Sequence, residues 1–147
     1  MSTAGMIEIS EDECLKLLRA FEFGRIAFRI ADALEVFPVN YHADGRHITF
    51  RTAPGTKLAG VLLADDVVFE IDHIGEREAW SVVAHGRARR LESSSELEQA
   101  EQLPIRPLVP SVKREFVRIE LSRVSGRRFH RGPQPDPAAE PLVDSTD

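Results

Sequence analysis

Residues 34–62 read LEVFPVNYHADGRHITFRTAPGTKLAGVL. Two strand patterns and a helix start lie within this stretch. Leu34 to Tyr41 reads as a strand, Asp44-Gly45 as a two-residue hairpin signal, and His47 to Thr52 as the returning strand. With Asp44 and Gly45 as the loop, Tyr41 faces Ile48, Val39 faces Phe50 and His42 faces His47. One side of the hairpin then carries Phe37, Val39, Tyr41, Ile48 and Phe50, an apolar face that asks for burial. The other carries Pro38, Asn40, His42, His47, Thr49 and Arg51. A one-residue slip would exchange the two faces. Ala53-Pro54-Gly55 then breaks the strand, and Thr56 can cap a helix from Lys57 to about Ala64.

The flanking sequence extends the same scheme. Upstream, Ser10 and Glu13 form a capping box, and Cys14, Leu17, Leu18 and Phe21 follow at helical spacing. Ile26, Phe28 and Ile30 alternate as a strand. Downstream, Val67–Ile74 and Glu78–Leu91 are strands, with Gly86 marking a bulge or a close backbone approach. Ser93 and Glu96 open another short helix, which runs to Leu103. Pro104, Pro107 and Pro110 make the next connection irregular, and Glu115 to Phe129 is the last strand. Six strands, mostly hairpin-linked, with accessory short helices predict a mainly β fold, a closed antiparallel barrel over residues 1–131. Residues 132–147 read as an acidic, Pro-rich disordered tail.

Composition narrows the function. The chain has 147 residues, 19 basic and 24 acidic. Four of the acids (Asp136, Glu140, Asp144 and Asp147) fall in the tail, which has no base. The rest carries 19 bases against 20 acids. Such a balanced surface argues against nucleic acid as a partner. No apolar run approaches a membrane span, and no secretory leader is visible at the N-terminus. One cysteine, Cys14, supports neither a disulfide nor a multi-cysteine zinc site, so a cytoplasmic home is expected.

Five places could carry chemistry. Phe50 to Lys57 runs from strand through tight loop to helix start, where free backbone N–H groups and the helix dipole favour an anion. Arg51 and Lys57 add cations there, and Thr52 and Thr56 add hydroxyls. The plain alternative is a helix cap with solvated basic side chains. Second, Pro38 removes a ladder donor from the strand that carries Val39 and Asn40, so an edge is expected beside them. Third, Trp80 could cover an aromatic ring and Ser81 could offer it a polar contact, the alternative for Trp80 being a core position. Fourth, His42 and His47 pair across the hairpin but have no third ligand at fixed spacing, so no metal is expected. Fifth, Ser125 to Arg131 is basic and reads by default as a solvated strand end.

Taken in order, four segments resemble the pyridoxamine 5′-phosphate oxidase-like superfamily of split-barrel flavin-binding proteins. They are Glu35–Tyr41, Phe50–Lys57, Trp80–Ala88 and Val124–Phe129. The resemblance implies a six-stranded antiparallel split β-barrel that forms a homodimer with cofactor at the interface. It implies FMN as cofactor, with a deazaflavin or haem as the alternative. Arg51, Thr52, Thr56 and Lys57 match phosphate and ribityl contacts. Pro38, Val39 and Asn40 match the strand edge along the flavin ring, and Ser81, beside Trp80, matches a ring-proximal position. The implied activity is an FMN-dependent oxidoreductase acting on a small-molecule substrate, with NADH or NADPH as a candidate partner. A deazaflavin-dependent reductase, or a non-catalytic flavin or haem carrier or sensor, is the other reading. The family's vitamin-binding C-terminal segment, with its tryptophan and arginines, has no counterpart after Arg131. Vitamin B6 oxidation is therefore not implied.

Overall fold

A computed structural model describes residues 5–106 and 115–132. The acidic tail and the Pro107–Pro110 part of the connector lie outside the described residues. The hairpin of β3 (Ala33–Asp44) and β4 (His47–Thr52) forms with the expected faces. Val39, Tyr41, Ile48 and Phe50 are buried, while Pro38 and His47 are exposed.

The pairing itself differs from the expected one. Tyr41 faces Phe50, His42 faces Thr49, Ala43 faces Ile48 and Asp44 faces His47, so the loop is Gly45-Arg46 and His42 does not oppose His47. The shift is even, which is why every side chain keeps its face. Gly45 has φ 58° and takes the first central turn position, where a positive φ is required. Tertiary contacts hold Arg46. Its Nη1 lies 3.0 Å from Glu11 Oε1, its Nε donates to the Leu121 carbonyl at 3.3 Å, and its own carbonyl accepts the Leu121 N–H at 2.9 Å.

Around the hairpin stand β2 (Phe23–Ile30), β5 (Val67–Ile74), β6 (Glu78–Arg90) and β7 (Glu115–His130). They close an antiparallel ring in the order β2-β3-β4-β7-β6-β5. A seventh strand, β1 (Met6–Ile9), pairs with residues 126–129 of β7 outside that ring. The sequence reading missed it because four residues of alternation before a helix cap carry little periodic signal. The bulge falls at Gly86, as expected: the β6–β7 register shifts between His85 and Gly86. A Cβ on Gly86 would lie 2.2 Å from the Glu120 carbonyl oxygen, so the two backbones approach as only glycine allows.

Two helices pack at the ends of the barrel. α1 (Glu11–Ala20) is capped by Ser10, whose Oγ accepts the Glu13 N–H at 3.2 Å. It packs near the start of β2, where the Tyr41 hydroxyl donates to the Leu18 carbonyl at 2.7 Å. α2 (Thr56–Leu63) packs at the other end of β2, with Gly60 against Ile30 and Phe28. Its cap is Gly55, without a side-chain hydrogen bond, so Thr56 is the first helical residue and not the cap. α3 (Ser94–Glu101) keeps its expected capping box and covers Leu91 and Phe116 outside the barrel.

Candidate functional site

The barrel parts between β3 and β4. Their pairing runs only from Tyr41–Phe50 to the turn. Above it, Ala33–Asn40 pairs with β2 alone, while Arg51 and Thr52 continue to pair with β7. Among the described residues, one side of β3 along Pro38, Val39 and Asn40 therefore lacks a strand partner, which is the edge the proline suggested. Val39 turns its side chain into the core, so it offers backbone only. The Asn40 amide donates to the Arg106 carbonyl, which ties the segment after α3 across β3.

The β4–α2 loop stands beside this opening. Arg51 and Lys57 flank it, both half-buried and both resting on aromatic rings. The Arg51 guanidinium lies 4.7 Å from the centre of the Phe116 ring and 3.9 Å from Glu101, and Lys57 Nζ lies 4.5 Å from the centre of the Phe37 ring. Such contacts hold the cations near the loop at about 0.5–1 kcal/mol each. The aromatic partners were not legible in the sequence, because only strand register and helix placement bring them there. Gly55 has φ 154° and ψ −167°, a region essentially closed to other residues. A Cβ there would meet nothing within 4 Å, so the loop backbone is open to close approach. These features suit an anionic group. The two threonines differ: Thr56 is exposed at the helix start, whereas Thr52 is buried and its hydroxyl donates to the Ala53 carbonyl at 3.4 Å.

Trp80 and Ser81 lie elsewhere. Trp80 is 6% exposed and packs against Phe21 at 5.1 Å between ring centres, the core position that the sequence left open. Ser81 is on the opposite face of β6, half-buried, across from Asp72 and Arg127. In the ring order β3-β2-β5-β6, Ser81 is three strand steps from Asn40. Along the sheet, at about 4.8 Å per step, that is a path of roughly 14 Å.

Between them, Arg25 Nη1 lies 2.9 Å from Glu70 Oε1 and 3.4 Å from Asp72 Oδ2. Burial, with the neighbouring Asp72, pushes the Glu70 carboxyl up to about 7 against the opposing pull of Arg25. An acid with a raised folded pKa holds its proton more tightly when folded. Its contribution is fully present below the unfolded carboxylate value and is lost as pH rises towards 7. Stability is therefore expected to fall by about 1 kcal/mol between pH 4.5 and 7, after allowance for solvent screening. Glu70→Gln should flatten that slope in urea midpoints measured across the range. An unchanged slope would show that Glu70 titrates normally.

Comparison with known proteins bears on this geometry. A family model described as pyridoxamine 5′-phosphate oxidase matches residues 10–128. A Corynebacterium glutamicum structure, provisionally named a pyridoxamine 5′-phosphate oxidase, is 34% identical with a TM-score of 0.81. It covers 91% of this chain and 99% of its own. A Mycobacterium smegmatis structure named as an FAD-binding protein is 31% identical with a TM-score of 0.73, covering 84% of this chain and 98% of its own. An uncharacterised Mycobacterium tuberculosis protein is 37% identical over 92 residues, which is 63% of this chain and 84% of that protein. Among the described residues no helix is long and apolar enough to cross a membrane. The match over residues 10–128, carried by a barrel that splits between β3 and β4, makes this chain a member of the pyridoxamine 5′-phosphate oxidase family.

Proposed function

We propose that the protein binds a flavin where β3 and β4 part, and that it is an FMN-dependent oxidoreductase acting on a small molecule. The observation that carries this reading is the edge of β3, unpaired among the described residues, beside a glycine-bearing loop flanked by Arg51 and Lys57. Arg51 and Lys57 would hold the phosphate, with the Thr56 hydroxyl and the backbone around Gly55 as further donors. The backbone at Pro38, Val39 and Asn40 would align the ring. Bound there, the flavin supplies electron or hydride transfer, and the protein supplies anchoring, orientation and exclusion of water. The FAD-binding name of the Mycobacterium smegmatis relative supports flavin as the class and makes FAD the alternative to FMN.

The same reading calls for a homodimer. Phe23 (44% exposed), Leu34 (70%), Val36 (60%) and Ile74 (72%) form large apolar positions on the outside of β2, β3 and β5. Covering them with a second copy would bury this apolar face, and Trp80 would act through the strand it anchors.

Mass spectrometry of the small molecule released on denaturation tests the proposal, with FMN as the expected mass. FAD would keep the site and change the cofactor. A colourless protein that takes up no flavin would end the proposal. For a yellow protein, oxidation of NADH or NADPH supports the oxidoreductase, and inertness to both and to reduced deazaflavin supports a carrier.

A further inference from the structure

Apart from the flavin site, the polar outer face of the hairpin holds a cleft of about 280 Å³. His42, His47, Thr49 and Arg118 line it, with Gln99 and Leu103 at the end of α3 and Asp44 at its rim. We propose that this cleft binds the oxyanion of a small carboxylate or phosphate ligand, held by Arg118, His42 and His47.

The donor chemistry points that way. The Arg118 side chain is 19% exposed and is aimed by its neighbours: Nε donates to Thr49 Oγ1 at 3.2 Å, and Nη1 lies 3.9 Å from Glu96 Oε2. A guanidinium has further N–H groups, which suit the planar fork of an oxyanion. The buried Thr49 hydroxyl accepts from Arg118 and so has its own proton to give. Among the described residues, neither imidazole has a hydrogen-bond partner, and no group of three potential metal ligands includes them. Leu103 supplies an apolar wall for a short carbon skeleton.

The surrounding charges leave the cleft open to an anion. Among the described residues, Asp44 is its only lining carboxylate. Glu96 and Glu120 stand beside Arg118 and His47, but Arg89 engages them at 2.6 and 3.4 Å. Arg19 and Glu22 share the neighbouring hollow with His42 and are of opposite charge. Among the described residues the lining thus sets one fixed cation and two imidazole donors against one carboxylate.

Calorimetric titration of the full chain with inorganic phosphate, and separately with succinate, tests this. The background is Lys57→Ala with Arg51→Ala, which removes the other anion site. Saturable binding of either probe at pH 6 is expected. The tighter probe tells phosphate from carboxylate ligands. His42→Asn and His47→Asn, both near the surface, should each lower affinity at pH 6 by about tenfold with the melting temperature unchanged. Arg118→Gln should abolish binding. No binding of either probe at pH 6, or binding indifferent to both histidine variants, would overturn the proposal.

Discussion

Replacing Arg51 and Lys57 together with alanine is expected to weaken flavin binding by about a thousandfold. In the proposed site each cation would supply charge-assisted hydrogen bonds to phosphate, worth roughly 1.5–3 kcal/mol apiece, or about ten- to a hundredfold for each single variant. The two would act on one group from the two sides of the β4–α2 loop, so their losses should compound. Fluorescence titration of flavin into the cofactor-free protein measures the effect. Each variant also loses a contact with Phe116 or Phe37, so a thermal melt must accompany the titration. A melt lowered by a few degrees with binding lost fits the proposal. A double variant that binds flavin within about threefold of the parent would remove both residues from the site.

Phe69→Ala is expected to cost about 4 kcal/mol of folding stability, within the range for truncating a buried aromatic. Phe69 is fully buried on β5, opposite Ile26 and Ala84, and its ring meets Tyr41 edge-on at 4.8 Å between centres. The backbone is shaped around it: a Cβ on Gly24 would lie 2.6 Å from the ring. The closed ring of strands resists collapse into the space left behind, so most of the cavity should persist. Against a typical total of about 5–15 kcal/mol, the loss should be plain in a urea midpoint. A loss under about 1.5 kcal/mol would mean that the barrel relaxes around the site.

Much of the candidate site was legible because it is local. A proline in a strand announces an edge, and a Pro-Gly loop with flanking cations announces an anion-friendly helix start. The rest was not legible because it depends on neighbours distant in the chain. Phe37 and Phe116 under the two cations, the Arg106 carbonyl on Asn40, and the inward turn of Trp80 follow from which strands lie side by side. The three strand steps between Ser81 and Asn40 are likewise a property of the ring order.

The same division runs through the fold. Alternation along the chain determined which face of each strand is buried, because side chains on a strand alternate by geometry alone. It also determined the caps at Ser10 and Ser93, whose hydroxyls bond within their own turn. Only the tertiary structure decided the hairpin register. Asp44-Gly45 and Gly45-Arg46 both satisfy the apolar pattern, and contacts from Arg46 to Glu11 and Leu121 select between them. The point where β3 leaves β4 and the docking of β1 on β7 were decided in the same way, by contacts whose partners are far apart in the chain.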